Sequence, residues 1–323
     1  GGRGMRLVET EDRFRTLFNT AQAEAQSAFG DGRVYVEKYL RNPRHIEVQI
    51  MGDHHGNVVA LGERECSIQR RHQKLIEESP SPAIDADLRK RLCETAVKAA
   101  KAIDYVNAGT IEFLLDGEKN FFFMEMNTRL QVEHPVTEFV TGYDLVEVQL
   151  RVASGEPLPF KQEDITPNGW AIECRINAED PGNNFSPCPG QIENFLPAGG
   201  PWVRVDSAAY TGYAVSPSYD SMVAKLITWG PDREAAIDRM RAALYEFRVD
   251  GIKTTIPFHQ WALSHPEFRS GNLTTGFVEK HQAGMLAFLQ KMGKQAVPMR
   301  DETGAEAAAG NGKTQERSGT ATA

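Results

Sequence analysis

Polar and apolar residues alternate along several stretches of the chain, as they do in strands with one buried face. The alternation over residues 44–74, with a turn at 52–56, predicts two or three strands. The run over 108–127 predicts a hairpin around Asp116-Gly117. Further strands are predicted at 33–40, 169–180, 190–208 and 221–230.

Apolar residues recur at helical spacing in other segments. Helices are predicted over 11–29, 86–103, 136–155 and 232–247. Asp232 is suited to cap the last of them. Because strands and helices do not alternate one for one, the pattern favours an α+β fold.

Composition and charge restrict the class of protein. With 323 residues, the chain is long for one core, so two domains or one large domain with appendages are expected. The net charge of −8 offers no electrostatic footprint for nucleic acid or an anionic membrane, and no apolar run is long enough to span a bilayer. Four cysteines, far apart and without a CxxC motif, indicate a reducing compartment and no structural zinc.

Two glutamates are predicted to face each other in the hairpin at 108–127. A turn centred near residues 118 and 119 pairs Glu112 with Glu125, and Asn127 follows on the same face. Directly opposed like charges destabilise a sheet, and a bound cation would reverse that effect. Two carboxylates and an amide oxygen suit Mg²⁺, which keeps its other positions for water and phosphate. The alternative is a solvated outer face with two unrelated glutamates.

The alternating stripe continues from Asn127 through Arg129, Gln131 and Glu133, which predicts a strand as far as Glu133. The guanidinium of Arg129 matches a carboxylate or carbonate in a bidentate manner, and Gln131 adds a donor. Glu133 would then lie beside a bound anion, where it suits a general base for an anion that still carries a proton, such as bicarbonate. The alternative is an arginine–glutamate surface pair.

Three short motifs suit a nucleotide. GGRGM, with Gly1 and Gly2, offers backbone N–H groups to phosphates. VYVEKYL ends with Glu37, Lys38 and Leu40, whose backbone would read a purine edge. IQRRHQK is a basic patch in an acidic chain, consistent with polyphosphate or bicarbonate. Their alternatives are a simple turn, an ordinary strand and a solvated run of charge.

Taken together, these motifs resemble one family, the biotin carboxylases of the ATP-grasp superfamily. GGRGM, VEKYL, PRHIEVQI, CSIQRRHQK, AGTIEFL, MEMNTRLQVEHPVTE, AIECRINAED and YDSMVAKLI occur in that order and at family-like spacing. The resemblance runs from residue 1 to about 281, and its most specific parts are EMNTRLQVEHPVTE and ECRINAEDP. Other ATP-grasp ligases share the metal carboxylates but not RLQVEHPVTE.

The resemblance implies a role for each matching residue. ATP would contact Gly1, Gly2, Glu37, Lys38, Leu40, His45, Gln69, His72, Glu112 and Glu125. Metal ligands would be Glu112, Glu125 and Asn127. Bicarbonate would bind Lys74, Arg129, Gln131 and the Val132 backbone, with Glu133 as its base. Arg175 would meet the biotin ureido oxygen, with Asp220 nearby, and the catalytic set would be Lys74, Arg129, Glu133 and Arg175.

The implied fold is an ATP-grasp fold, with a partial small lobe and a large antiparallel-sheet C-terminal biotin carboxylase domain. Residues 1–40 would be the remainder of the small lid domain, 41–283 the large lobe with the C-terminal domain, and 284–323 a largely disordered tail. The family has an N-terminal domain and phosphate-contacting lysines that are not found in this sequence. We therefore expect an N-terminally truncated fragment that is inactive alone.

The implied reaction is ATP-dependent carboxylation of biotin by bicarbonate through carboxyphosphate, with Mg²⁺ or Mn²⁺. It is the first half-reaction of acetyl-CoA carboxylase in fatty acid synthesis. Implied partners are a biotin carboxyl carrier protein, carboxyltransferase subunits and a second copy in a homodimer, whose contact region would include Trp202 and Arg204. We expect a cytoplasmic protein. The alternatives are a piece of a propionyl-CoA or pyruvate carboxylase, or a non-catalytic fragment that docks a carrier.

Overall fold

The computed structural model describes residues 4–295, so Gly1, Gly2 and the predicted tail beyond residue 295 lie outside the described part of the chain. Eight strands form the main sheet. They are β1 Arg44–Gly52, β2 Val58–Arg70, β3 Gln73–Ser79, β4 Asn107–Leu115, β5 Phe121–Asn127, β6 Trp170–Asn177, β11 Val203–Ser207 and β13 Met222–Gly230. Six short strands form three small pairs. They are β7 Glu179–Asp180, β8 Ser186–Pro187, β9 Gly190–Gln191, β10 Asn194–Leu196, β12 Ala214–Val215 and β14 Arg248–Asp250.

The main sheet has the order β11-β13-β6-β3-β2-β1-β4-β5, and its neighbouring strands are antiparallel. The described helices are α1 Glu11–Phe29, α2 Ala86–Lys101, α3 His134–Thr141, α4 Leu145–Ala153, α5 Arg233–Glu246, α6 Ile256–Ser264, α7 Pro266–Arg269, α8 Phe277–Lys280 and α9 Gln282–Gln295. The predicted α+β class is confirmed. No helix within residues 4–295 has the length and apolar character needed to cross a membrane.

Helices cover both faces of the sheet, so its central strands are buried on both sides. On one face α2 packs on β2 and β1, and α5 packs on β13 and β6. The N-caps Asp85 and Asp232 accept hydrogen bonds from Leu88 and Ala235, and these caps fix where the two helices begin. On the opposite face α3 and α4 bury small apolar clusters. Between those clusters the sheet presents polar side chains, and these form the candidate site.

Two predicted strands are wrong. Residues 33–40 have no strand, because no neighbouring strand pairs with them in the described chain, and Tyr35 and Tyr39 are exposed. The strand predicted to reach Glu133 ends at Asn127. From there the chain leaves the sheet edge, and α3 begins after Glu133 with Pro135 in its first turn, a position that proline favours.

The helix predicted over 136–155 and the start predicted for the disordered tail also differ from the structure. The segment 136–155 is not one helix, because Gly142 adopts a left-handed conformation with φ +77° that ends α3, and Asp144 caps α4. The tail predicted from residue 284 begins instead as part of α9. Met285 is buried there in the core beside α5 and α6, because apolar residues recur along that helix.

Candidate active site

The hairpin of β4 and β5 has the predicted register at the candidate metal residues, whereas the pairs next to the turn are offset by one residue, with a β-bulge between Glu112 and Phe113. Glu112 pairs directly with Glu125, and Thr110 pairs with Asn127. Glu112 is buried, whereas Glu125 is exposed on the edge strand. The Asn127 amide donates to Glu112 Oε1 at 3.0 Å, and His45 Nε2 lies 2.9 Å from Glu112 Oε2. Glu112, in the interior of β4, therefore contacts both His45 of β1 and Asn127 at the end of β5.

Lys74 connects three buried carboxylates. Its Nζ lies 2.6 Å from Glu47 Oε2, 3.0 Å from Glu112 Oε1 and 2.6 Å from Glu133 Oε1. Burial alone would lower the pKa of Lys74, but these carboxylates hold that pKa well above its usual value. Burial would likewise raise the pKa of Glu112, and the contacts from His45 and Lys74 instead lower it to about 2. Lys74 is therefore a fixed positive charge at the centre of the site.

Glu133 lies between two cations. It occupies the N-cap position of α3, is fully buried, and contacts Arg175 Nη2 through Oε2 at 2.9 Å in addition to Lys74. Arg175 projects from β6 and also donates through Nε to Glu77 Oε1 at 2.6 Å. Arg175 and Lys74 therefore hold the two oxygens of one carboxylate.

A fully buried arginine, which the sequence interpretation missed, supports this centre. Arg64 pairs with Glu47 and donates to Gln49 at 2.7 Å and to Thr137 of α3 at 3.0 Å. Burial would raise the pKa of Glu47, but Arg64 and Lys74 lower it to about 2. Arg64 thereby connects β1, β2 and the helix that begins at Glu133.

Other charged residues on this face were also missed. Glu77 and Glu173 are direct cross-strand partners on β3 and β6, both fully buried, and Lys225 on β13 pairs in register with Arg175. A signal for them exists, because each lies in a mostly apolar strand segment: Glu77 next to Glu78 in LIEES, Glu173 two residues before Arg175 in AIECRI, and Lys225 alone in VAKLI. A charge with apolar neighbours on both sides of a buried strand needs a partner from another strand.

The predicted anion-binding residues follow β5 in an irregular segment, 128–133, which we call the anion loop. Arg129 is exposed, and its Nη1 donates to Gln131 Oε1 at 3.0 Å. The Val132 carbonyl accepts from Lys225 Nζ at 2.8 Å. The structure therefore places Arg129 beside Gln131, whereas Glu133 contacts Lys74 and Arg175 instead.

The remaining predicted residues lie at the margins. Gln69 is buried opposite Lys74 in the β2–β3 pair, and His72 lies in the turn between those strands with φ +66°. Lys38 lies over the Phe122 ring of β5, 5.3 Å from its centroid. Asp220 is exposed and accepts from Met222 N at 2.9 Å, and no contact joins it to Arg175 within the described residues. Its predicted position near biotin stays a prediction.

The donor set fits a divalent cation at the hairpin. Within residues 4–295 no hydrogen bond reaches the Glu125 carboxylate or Asn127 Oδ1, and both are hard oxygen donors next to Glu112. A second cluster brings ligand atoms of His45, Glu47 and Glu112 within 4.8 Å of one another. In that cluster the Lys74 ammonium already contacts Glu47 and Glu112, so Lys74 supplies the positive charge that a metal ion would otherwise provide.

Comparisons with known proteins show the family to which the chain belongs. The protein-family model of the carbamoyl-phosphate synthase L chain ATP-binding domain matches residues 1–161. The family model of the biotin carboxylase C-terminal domain matches residues 173–280. A biotin carboxylase of Nostoc sp. (strain PCC 7120 / SAG 25.82 / UTEX 2576) is 58% identical over 280 residues, 87% of this chain and 63% of that protein.

Two solved structures are similar over 87% of this chain and 63% of their own. The Campylobacter jejuni biotin carboxylase–β,γ-ATP complex has 53% identity and a TM-score of 0.82. The biotin carboxylase domain of a thermophilic 2-oxoglutarate carboxylase bound to bicarbonate has 49% identity and a TM-score of 0.84. The fold is thus that of the ATP-grasp carboxylases. The chain belongs to the biotin carboxylase family and spans 63% of the length of these relatives.

Proposed function

We propose that the protein carrying this sequence uses ATP and bicarbonate to carboxylate biotin, which makes it an ATP-dependent carbon–nitrogen ligase. The observation that carries the proposal is the buried carboxylate of Glu133, held between Lys74 and Arg175. A base held between two cations suits a reaction whose substrate is an anion that must lose a proton. The family to which the chain belongs supports the same reaction.

Bicarbonate binds at the anion loop with Lys74, Arg129, Gln131 and the Val132 backbone around it. Glu133 accepts its proton, and the freed oxygen forms a bond to the γ-phosphorus of ATP while the bond to the ADP oxygen breaks. The carboxyphosphate formed in this way breaks down to CO₂ and phosphate. Lys74 and Arg129 offset the charge of the incoming anion throughout.

The second step is transfer of CO₂ to biotin. The released phosphate takes the N1 proton, N1 forms the bond to CO₂, and Arg175 donates to the ureido oxygen as negative charge develops there. In the structure Arg175 donates to Glu77 and Glu133, and the rigid strand β6 presents it beside the base. Asp220 is proposed to lie near biotin when the substrate is bound.

The nucleotide is proposed to lie along β5 and the β2–β3 turn, near Gln69 of β2, His72 of that turn and His45 at the start of β1. Glu37, Lys38 and Leu40 contact the adenine, and Gly1 and Gly2 cover the phosphates. Glu112, Glu125 and Asn127 hold Mg²⁺ or Mn²⁺, which when bound offsets phosphate charge. The similar biotin carboxylase domain of the Hydrogenobacter thermophilus 2-oxoglutarate carboxylase was solved in complex with MgADP, ADP and bicarbonate, which supports this ligand set.

Biotin is proposed to arrive on a biotin carboxyl carrier protein, and carboxyltransferase subunits use the product. The similarity to named biotin carboxylases favours the acetyl-CoA carboxylase reaction of fatty acid synthesis, in the cytoplasm. A keto acid in place of the acyl-CoA thioester is the second candidate acceptor, favoured by the similarity to a domain of a 2-oxoglutarate carboxylase. A homodimer through the region of Trp202 and Arg204 is also proposed, because Trp202 is more than half exposed beside the edge strand β11.

The test is bicarbonate-dependent release of ADP by the gene product that carries this sequence, measured with and without free biotin. We expect ADP release that requires bicarbonate and is stimulated by biotin. Release that is independent of bicarbonate, or none with the wild-type protein, would contradict the proposal. The acceptor is tested separately. Purified carrier protein and carboxyltransferase of each candidate pathway are added, and the carboxylation of acetyl-CoA and of the keto acid is measured.

A further inference from the structure

We propose that Lys225 is a positioning residue for the anion loop, and that it acts on bicarbonate use rather than on nucleotide binding. The inference rests on the proposed function and adds to it a residue that touches none of the reacting groups. Its basis is one contact: the Nζ of Lys225 donates to the Val132 carbonyl at 2.8 Å, across 93 positions of sequence.

The contact ties the anion loop to a rigid part of the fold. Lys225 lies near the middle of β13, which pairs with β6 on one side and β11 on the other. Its side chain is 12% exposed and is the register partner of Arg175. The same pair of strands therefore presents the arginine that contacts Glu133 and the lysine that contacts the residue before it.

Fixing this carbonyl also fixes the base. A trans peptide directs its C=O and the following N–H to opposite sides. With the Val132 carbonyl held toward β13, the Glu133 N–H points away from β13, and the orientation of Glu133 at the start of α3 is set. The ring of His134 holds the Gln131 carbonyl at 2.8 Å, so consecutive carbonyls of the anion loop have side-chain partners.

The surrounding charges leave the carbonyl as the principal partner of Lys225. Asp206 Oδ2 is 3.4 Å from Nζ, but that carboxylate is already bound by Arg204 at 2.8 and 2.9 Å. Glu173 faces the same space from β6, and burial raises its pKa well above the usual value. Lys225 therefore makes its closest contact with the loop backbone.

The experiment compares Lys225→Met with Lys225→Arg and with the control Lys90→Met, an exposed lysine on α2. Steady-state kinetics are measured with bicarbonate and with ATP as the varied substrate. Loss of a charge-assisted hydrogen bond predicts that kcat/KM for bicarbonate falls about 10- to 100-fold in Lys225→Met, with the KM for ATP within about twofold. Lys225→Arg, which keeps a donor, restores most of the loss, and Lys90→Met matches wild type.

Amide hydrogen exchange gives a readout that does not need catalysis. We expect faster exchange at residues 129–134 in Lys225→Met and wild-type exchange at β1 and β4. Wild-type bicarbonate kinetics, equal losses for ATP and bicarbonate, or unchanged exchange in the anion loop would each overturn the proposal. If Lys225→Met does not fold, Lys225→Gln, which removes the charge and keeps a polar side chain, takes its place: a fall in kcat/KM for bicarbonate with an unchanged KM for ATP supports the inference, and wild-type kinetics or equal losses for both substrates overturn it. Failure of the proposed function is seen separately, as a wild-type protein without bicarbonate-dependent ADP release.

Discussion

The candidate site has two halves that differ in how their charges are held. In the buried half, Lys74 and Arg175, which project from the sheet, contact Glu133 at the start of α3 at 2.6 and 2.9 Å. In the exposed half, Glu125 and Arg129 lie at the sheet edge and in the anion loop, open to solvent. This fold therefore builds the base and its cations in advance, whereas Glu125, proposed for the metal, and Arg129, proposed for bicarbonate, extend toward solvent.

This contrast has an energetic consequence. A buried charge that loses its partner is uncompensated, because neither water nor a mobile side chain replaces that partner. An exposed charge is screened and contributes little to folding. Substitutions in the buried half should therefore damage both the stability and the reaction, and those in the exposed half only ligand binding.

The largest effect is expected for Glu133→Gln. Removing the base should lower kcat for bicarbonate-dependent ADP release by about 10²- to 10⁴-fold. The control is Glu94→Gln, an exposed glutamate on α2 that should behave as wild type. Steady-state assays decide the outcome, and a loss of less than about tenfold would mean that Glu133 is not the base.

Substitution of Arg175 in the buried half and of Arg129 in the exposed half should change the free energy of unfolding by very different amounts. Arg175→Met leaves Glu77 and Glu133 buried without their shared partner, and we expect a loss of about 3–5 kcal/mol in the free energy of unfolding. Arg129→Met should change it by less than about 0.5 kcal/mol while weakening bicarbonate use. Urea denaturation measures both values. Similar losses for the two variants would remove the distinction between the halves.

The buried cross-strand pair of Glu77 and Glu173 predicts that the free energy of unfolding depends on pH. Burial raises the pKa of Glu77 to about 7 and that of Glu173 well above its usual value. Because the folded state favours the protonated forms, their stabilising contribution is complete below about pH 4.5 and is lost as the pH rises through 7. We expect the free energy of unfolding to fall by about 1–3 kcal/mol between pH 5 and pH 9, and to fall less in Glu173→Gln.

The control for this pH series is Glu94→Gln, whose pH dependence should follow that of wild type. Because Gln is neutral like the protonated acid, Glu173→Gln should also keep wild-type stability at pH 5 to within about 1 kcal/mol. A steep fall in the variant equal to that of wild type would show that Glu173 carries none of the effect.

The smallest effect concerns the β2–β3 turn in the exposed half. Arg71 and His72 have φ +48° and +66°, a left-handed conformation that costs a side chain about 1–2 kcal/mol and glycine little. His72→Gly should therefore stabilise the protein by up to about 1 kcal/mol while weakening nucleotide binding. His54→Gly, in the turn between β1 and β2, is the control and should be neutral or slightly destabilising. A destabilised His72→Gly variant would contradict the strain argument.

Much of the site could be predicted from sequence where one local element sets the geometry. The hairpin around Asp116 and the alternation of β4 and β5 are local signals, so two facing strands with Glu112 near Glu125 could be predicted, although the exact pair forms only because a β-bulge shifts the register by one residue between Phe113 and Glu112. The general strand and helix pattern around Lys74 and Arg175 was also visible, because alternation and capping are local signals. The roles assigned to individual residues, by contrast, came from the family resemblance and stay proposals.

What the sequence could not provide depends on distant strands. Arg64 contacts Thr137, and Lys225 contacts Val132, over separations that no local pattern reports. The anion loop was read as strand because its polar residues alternate, although Gln131 is buried by tertiary packing rather than by a sheet. Residues 33–40 alternate as well, and the described chain gives them no partner strand.

The most direct test of the proposed reaction follows the oxygen atoms of bicarbonate into inorganic phosphate. The gene product carrying this sequence is given bicarbonate labelled with ¹⁸O, ATP and biotin in unlabelled water, and the inorganic phosphate is analysed by mass spectrometry at early times. Attack of bicarbonate on the γ-phosphate, with Glu133 as the base, predicts one ¹⁸O in each phosphate released, and strongly reduced labelled phosphate from Glu133→Gln. Phosphate that is released in step with biotin carboxylation but carries no ¹⁸O would contradict the attack of bicarbonate on the γ-phosphate.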